Sequence, residues 1–149
     1  MGNAWLSLGA NIGDAKAQLL QAIKLLNENL NIEVIQQSKI IITEPWGKKD
    51  QNHFHNMAIK IETILYPEAL LRECLDIEKQ MGRKREEKWG PRLIDIDIIA
   101  IERIEVRTKN LTLPHPHAFE RDFVMKPLRE ISPKTADWII LQAKKNPNK

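Results

Sequence analysis

The stretch Lys88–Ile99, KWGPRLIDIDII, places two aspartates one residue apart within a run of isoleucines. Such a run is typical of a buried β-strand, where a carboxylate is costly unless something pairs with it. Because side chains alternate along a strand, Asp95 and Asp97 share one face ~6.6 Å apart, with Ile99 and Ile101 further along it. At that separation and an effective dielectric of about 20, two carboxylates repel each other by roughly 2.5 kcal/mol. Something outside the strand must therefore stabilise the pair.

Two interpretations of the pair remain open at this point. In the first, both carboxylates lie at an exposed strand end and each pairs with an arginine. In the second, divalent cations lie between them, since Mg²⁺ is typically held by one or two carboxylates together with substrate phosphates. The sequence has no His/Cys cluster with zinc spacing, which disfavours a transition-metal site.

The segment before this strand is strongly basic. Its cationic side chains are Arg83, Lys84, Arg85, Lys88 and Arg92. A run of this kind is usually a solvated surface. Here it adjoins the carboxylate pair, and arginine is the preferred fork for phosphate oxygens. The combination favours a nucleotide polyphosphate bound through metal, without a Walker motif because no GxxxxGK[ST] occurs.

Working outward, apolar periodicity and turn residues predict the remaining elements. They are a strand over 4–8 stopped by Gly9, a helix capped by Asp14, a strand over 32–42, a loop over 43–53, a strand over 55–62, a helix over 67–82 and the Asp-bearing strand to Ile101. This order predicts an α+β, ferredoxin-like βαββαβ core: an antiparallel sheet with two helices on one face, followed by C-terminal additions.

Composition sets wider bounds. The chain of 149 residues fits a single domain, 1–149, with a frayed end over about 143–149. The net charge of +3 does not indicate bulk nucleic-acid binding. The single cysteine, Cys74, lies within an apolar stripe and indicates a core thiol and a reducing compartment. No apolar run approaches ~18 residues and the N-terminus lacks a basic region, so we expect a cytoplasmic protein without membrane contact.

Several motifs occur in a fixed order along the chain: LSLGANIGD, TEPWG, Phe54-His55-Asn56, KWGPRLIDIDII and LTLPHP. From Trp5 to about Pro133, this arrangement resembles the 6-hydroxymethyl-7,8-dihydropterin pyrophosphokinases of folate biosynthesis. The resemblance implies a ferredoxin-like fold and transfer of the β,γ-pyrophosphate of ATP to the pterin hydroxymethyl oxygen, with AMP as leaving group. It is a step of tetrahydrofolate biosynthesis, and we expect a monomer whose partners are ATP and the pterin.

The resemblance also implies roles for individual residues. Two Mg²⁺ ions would be held by Asp95 and Asp97, and catalytic roles would fall to these aspartates with Arg83 and Arg92. The ATP-binding residues would be Arg83, Lys88, Trp89, Arg92, Ile98, Thr112, His115 and Arg121. The pterin-binding residues would be Thr43, Glu44, Pro45, Trp46, Phe54, Asn56, Asp95 and Phe123. The loops 43–53 and 82–88 resemble the family's mobile lids, while His53, His55 and His117 are assigned no role.

A ferredoxin-like fold with basic loops also suggests two other functions. A ferredoxin-like RNA-binding module would need aromatic residues on the sheet in an RNP-like pattern, and the sequence has none. A catalytically inactive relative is disfavoured because Asp95, Asp97, Arg83, Arg92 and Asn56 are all present.

Overall fold

The computed structural model describes residues 2–11, 13–43, 53–82 and 94–145. The main-sheet strands are β1 (Gly2–Ala10), β2 (Ile32–Gln37), β3 (Ile41–Thr43), β4 (Phe54–Thr63) and β5 (Asp95–Ile101). The small hairpin consists of β6 (Val106–Arg107) and β7 (Thr112–Leu113). The helices are α1 (Ala15–Glu28), α2 (Pro67–Gly82), α3 (Asp122–Ile131) and α4 (Pro133–Lys145), with a 3₁₀ turn over Ala118–Glu120.

The main sheet is antiparallel, in the order β2-β4-β1-β5, and β3 also pairs with β4. Helices α1 and α2 both cover one face of it, as the sequence predicted. Their buried residues include Leu19, Leu26, Leu70, Cys74 and Ile77, which pack with sheet residues such as Leu6, Leu8, Ile59 and Ile61. Asp14 caps α1 by accepting the N–H of Ala17 at 3.1 Å, also as predicted. The α+β fold class is confirmed.

The C-terminal helices supply a second layer on the opposite face. A separate apolar cluster there joins Trp5, Ala58 and Ile99 of the sheet to α3 and α4 residues including Val124, Leu128 and Ile139. This layer covers the middle of the face. The row of the sheet that contains Gly9 lies beyond it, at the end where β4 and β5 begin.

The strand predicted over 32–42 is two strands separated by a bend at 38–40. At the bend, buried Ser38 donates its N–H to the carbonyl of Ala58 and accepts the N–H of Ala58 on its Oγ, both at 2.9 Å. The N–H of Lys39 turns away and bonds the Glu130 carboxylate of α3, at 3.0 and 3.2 Å to its two oxygens. The Ser38 hydroxyl thus takes the place of a backbone acceptor in the ladder with β4. The sequence pattern, which is rich in β-branched residues, does not show this substitution.

A bulge alters the pattern of β5. Leu6 of β1 lies opposite Ile98 and the preceding Trp5 lies opposite Ala100, so Ile99 is an extra residue. Ile99 keeps the face of the aspartates, but Ile101 turns to the α1–α2 core. The prediction that Ile101 follows Asp95 and Asp97 on one face was therefore wrong.

Two predicted boundaries also change. The chain continues as a strand through Gly9, and Thr43, predicted to begin the loop, is the last residue of β3. Residues 143–145 are helical in α4, so the frayed end predicted from 143 is wrong for these three residues; 146–149 lie outside the described residues. Within the described ranges, no helix is long and apolar enough to cross a membrane.

Candidate active site

Three adjacent strands place a row of residues on the face opposite α1 and α2. In the register of the sheet, Gly9 of β1 lies directly opposite Asn56 of β4 on one side and Asp95 of β5 on the other. Neighbouring strands are about 4.8 Å apart, so Asn56 and Asp95 stand about 10 Å apart with Gly9 between them. The row thus combines an amide that can read the edge of a ligand with a carboxylate that can hold a cation.

Gly9 is required by this arrangement rather than by a turn. A Cβ atom at Gly9 would lie 2.8 Å from Oδ1 of Asn56, closer than real Cβ contacts. The buried Asn56 amide lies over Gly9, in the space that a Cβ atom would need. The missing side chain therefore makes room for the Asn56 amide between the two neighbouring strands.

Asp95 and Asp97 are both exposed, and they lie on the same face of the edge strand β5, as the sequence predicted. Asp97 lies opposite Ser7 of β1, in the row next to that of Gly9. No group of three or more His, Cys, Asp or Glu side chains that could hold a metal occurs among the described residues. Two hard oxygen donors that need further ligands from a substrate fit Mg²⁺, which keeps waters and phosphates in its coordination sphere.

His115 extends the site beyond the end of β5. Its N–H donates to the carbonyl of Ile99 at 2.8 Å, and its Nδ1 accepts the N–H of His117 at 3.2 Å. Burial lowers the pKa of His115 below its ordinary value, and the charges of Arg121 and His117 lower it further, against the opposing effect of Asp97. The ring is therefore neutral at pH 7, with its proton on Nε2 and available to an acceptor such as a phosphate oxygen.

Arg121 and Phe123 lie where the chain enters α3. The Arg121 guanidinium carbon is 5.9 Å from the centroid of the Phe123 ring, a cation–π distance. Phe123 is 36% exposed and Phe54, at the start of β4, is 38% exposed. Thr43 lies opposite Phe54 in the sheet. Helix α3 packs on β4, the strand that carries Phe54 and Asn56. A flat ligand can reach either ring from solvent.

Ile98 and Thr112 occupy different surroundings. The Ile98 side chain is buried on the α1–α2 side, away from the aspartates, so only its backbone can reach a ligand on their face. Thr112 lies in β7, which packs beside β5. With His115 it lines a cleft of about 420 Å³ that extends to α4.

The remaining predicted site residues fall outside the described residues. They are Glu44, Pro45, Trp46, Arg83, Lys88, Trp89 and Arg92. The same applies to most of both loops predicted to act as lids, 43–53 and 82–88. Their roles stay predictions.

Sequence reasoning missed two structural features of the candidate site. Gly9 was interpreted as a strand stop, although a glycine inside a strand signals a close approach of other groups. The backbone N–H of His117 holds the His115 ring, whereas His117 was given no role. Its exposed side chain lies 3.7 Å from Glu120, and nothing in the sequence alone distinguishes it from other surface histidines.

The fold and this face define a ferredoxin-like α+β protein with a carboxylate pair and an aromatic-lined polar row, a class suited to a metal–polyphosphate and a flat heterocycle. The sequence profile of the 7,8-dihydro-6-hydroxymethylpterin-pyrophosphokinase (HPPK) family matches residues 5–133. The chain therefore belongs to this family.

Individual relatives agree with the family profile. The 2-amino-4-hydroxy-6-hydroxymethyldihydropteridine pyrophosphokinase of Methylorubrum extorquens is 47% identical over 133 residues, covering 89% of this chain and 84% of that protein. The enzyme of the same name from Bacillus subtilis is 44% identical over 128 residues, covering 86% of this chain and 77% of that protein.

A solved structure shares the fold at low sequence identity. The wild-type Plasmodium falciparum HPPK-DHPS with SDX-DHP superposes with a TM-score of 0.65 at 16% identity, over 88% of this chain. The chain spans 40% of the length of that protein. This likeness supports the ferredoxin-like architecture independently of the sequence motifs.

Proposed function

We propose that this face is the active site at which the pyrophosphoryl group of ATP passes to the hydroxymethyl group of 6-hydroxymethyl-7,8-dihydropterin. Membership of the family makes the chain a pyrophosphokinase of folate biosynthesis, and neither rival function, RNA binding or an inactive relative, is supported. The proposal concerns which residues bind each substrate and how they act. It treats 1–149 as one cytoplasmic, monomeric domain that binds neither nucleic acid nor membrane.

Asp95 and Asp97 are the proposed ligands of two Mg²⁺ ions. Their carboxylates are exposed on one face of an edge strand, where phosphate oxygens can complete the coordination sphere. When bound, Mg²⁺ supplies charge neutralisation at the ATP phosphates and at the departing AMP. Asp95 also stands in the Asn56 row, so it can orient the hydroxymethyl group toward the phosphate.

The pterin is proposed to lie over Gly9. Asn56 has both a donor and an acceptor for the edge of the heterocycle, and its amide already occupies the space that a Cβ at Gly9 would fill. Phe54 and Phe123 present partly exposed ring faces to a flat ligand, and Thr43 lies beside Phe54. Glu44, Pro45 and Trp46 are assigned to the same pocket on their sequence motif.

The nucleotide is proposed to extend from Asp97 toward the β7 side. Neutral His115 can donate from Nε2 to a phosphate oxygen, and the Arg121 guanidinium lies on the same side. Thr112 and the backbone of Ile98 are assigned to the nucleoside end. Arg83, Lys88, Trp89 and Arg92 are assigned to ATP on their sequence motif, with Arg83 and Arg92 stabilising charge on the transferred unit.

The observation that carries this proposal is the row Asn56–Gly9–Asp95. It places a group that can read a heterocycle about 10 Å from a candidate metal ligand, with Gly9 between the two.

The deciding experiment is phosphorus NMR of the protein with ATP, Mg²⁺ and the hydroxymethyl dihydropterin. We expect AMP and a pterin diphosphate in equal amounts. ADP with a pterin monophosphate would show attack at the γ-phosphorus and would overturn the proposed reaction. An ATP analogue with a methylene bridge between the α- and β-phosphorus should give no product.

A further inference from the structure

The peptide between the two aspartates of β5 is held by a residue of another element. Oε2 of Glu78, in α2, accepts the backbone N–H of Ile96 at 2.7 Å. Ile96 is the residue that separates Asp95 from Asp97. Among the described residues, β5 is at the edge of the main sheet, where alternate N–H groups point away from the ladder with β1. Glu78 therefore provides an acceptor on the open side of the strand that carries the candidate metal ligands.

The charge of Glu78 also acts on the buried thiol of Cys74. Burial raises the pKa of the Cys74 thiol to about 12, and the charges of Glu78 and then Asp97 are the next contributors. Cys74 and Glu78 are four residues apart on α2, so they lie on the same side of the helix. The charges of the helix carboxylate and of the strand carboxylate thus both raise the pKa of this thiol.

We infer that Glu78 is a positioning residue for the reaction. It holds the backbone of β5 in place at Ile96, so that the carboxylates of Asp95 and Asp97 stay at a constant separation. The inference rests on the proposed metal-binding role of those aspartates. A charge-assisted hydrogen bond of 2.7 Å belongs to the stronger class of hydrogen bonds, and among the described residues β1 is the main-sheet strand that pairs with β5.

Two substitutions separate the hydrogen bond from the charge. Glu78→Gln retains an acceptor oxygen at the same reach and removes the charge. Glu78→Asp retains the charge and withdraws the acceptor by one methylene. Asp76→Asn serves as the matched control, since Asp76 is an exposed carboxylate two residues away on the same helix and points in a different direction.

We expect Glu78→Asp to lower the affinity for the magnesium complex of α,β-methylene ATP by about ten-fold, since outer-shell partners of metal ligands typically contribute 10–100-fold. The concentration of Mg²⁺ that gives half-maximal activity should rise in parallel, with KM for the pterin unchanged. The nucleotide affinity of Glu78→Gln should stay within about three-fold of that of the parent protein, since the acceptor of the Ile96 N–H is retained. Calorimetric titration measures the affinity, and Asp76→Asn should have no effect.

Amide hydrogen exchange supplies a readout that needs no substrate. The Ile96 N–H should exchange faster in Glu78→Asp than in the parent protein, and Glu78→Gln should keep it protected. Equal losses in both variants, a larger loss in Glu78→Gln, or no loss in either would each overturn the inference. Failure of the proposed metal site is distinguishable, because Asp95→Ala and Asp97→Ala would then keep their activity whatever the Glu78 variants do.

Discussion

At the scale of single residues, the exposed carboxylate pair can be removed without disturbing the core, so its effect on activity can be measured apart from its effect on stability. Asp95 and Asp97 lie at the solvent side of an edge strand, so their removal leaves no cavity in either apolar cluster. Two neighbouring carboxylates on one face of a strand repel each other, and a bound cation removes that repulsion.

We therefore expect Asp95→Ala and Asp97→Ala each to lower turnover by about 100-fold or more, because metal charge stabilisation contributes several kcal/mol to such reactions. The temperature of unfolding should stay close to that of the parent protein. Release of AMP measures turnover, and circular dichroism measures the unfolding temperature. Turnover near the parent value at saturating Mg²⁺ would refute the metal-binding role.

Gly9 offers a test of the pterin side. In Gly9→Ala the new Cβ meets Oδ1 of Asn56 at 2.8 Å, so the amide must move. We expect pterin affinity to fall by about thirty-fold, since two displaced hydrogen bonds are each worth ~1 kcal/mol. Fluorescence titration of the pterin measures the change. Gly2→Ala is the control, because a Cβ at Gly2 meets nothing within 4 Å. Equal affinity in both variants would contradict pterin binding over Gly9.

The pKa of His115 gives a dependence on pH with a definite sign. Its value in the folded state is below the ordinary value of 6.5, chiefly because of burial, so the unfolded chain takes up the proton first as the pH falls. The stability that neutral His115 contributes is complete above pH 6.5 and is lost below it. His115→Asn keeps an acceptor for the His117 N–H and removes the titration.

We expect the free energy of unfolding of the parent protein to fall relative to that of His115→Asn between pH 7 and 5. Urea unfolding at each pH measures the difference between the two proteins. A difference that does not change with pH would contradict the burial of a neutral imidazole at this position.

Part of this site can be predicted from the sequence, because side chains alternate between the two faces of a strand whichever strands lie beside it. The shared face of Asp95 with Asp97 was predicted correctly for that reason. Ile101 was placed on the wrong face because a bulge depends on how β5 pairs with β1, which is far away in sequence. The role of Gly9 was missed for the same reason.

At the scale of elements, the bend between β2 and β3 brings the chain alongside the start of β4, next to the candidate pterin site. Ser38 and Ala58 exchange two hydrogen bonds there, and β3 then pairs with the start of β4. We expect Ser38→Ala to lower the free energy of unfolding by about 1–3 kcal/mol, since the buried N–H of Ala58 loses its acceptor.

Glu130→Ala is the comparison for this prediction. It frees the N–H of Lys39, which is exposed and can bond water, so the loss should be at most about 1 kcal/mol. Urea denaturation of both variants measures the difference. Equal losses would show that the Ser38 hydroxyl does not carry the bend.

Helix boundaries were predicted better than strand boundaries, for a local reason. Asp14 and Pro67 mark the helix starts by their own chemistry, and Gly82 is the last residue of α2. The segment 32–42 has uniform β-branched composition, so its division depends on a single serine whose partner lies twenty residues later. A hydrogen bond between residues so far apart in sequence cannot be predicted from local composition.

At the scale of the whole molecule, the order of elements predicted the sheet and its first helical layer, since split βαβ connections restrict the pairing. The second layer was not predicted in detail. Helices α3 and α4 are amphipathic, but the sequence does not show that they pack on the free side of β4. That side of the sheet is also where the candidate site begins.

Cys74 gives a test of the whole core. It is fully buried between α2 and the sheet, its pKa is raised to about 12, chiefly by burial, and the sequence has no other cysteine. At pH 8 the folded protein should therefore react with an aromatic disulfide reagent only when the chain unfolds, because the thiolate is the nucleophile. Denatured protein, as the control, should release one chromophore per chain at once.

Labelling of Cys74 should also respond to the substrates, because it tracks the population of the open state. At a concentration of the magnesium complex of ATP that is about 100 times its dissociation constant, labelling should slow by about 100-fold. In Asp95→Ala, which is expected to bind that complex poorly, the same addition should give little protection. Rapid labelling of the native parent protein would contradict the packing of α2 on the sheet, whereas equal protection in both proteins would contradict only the metal-mediated binding of ATP.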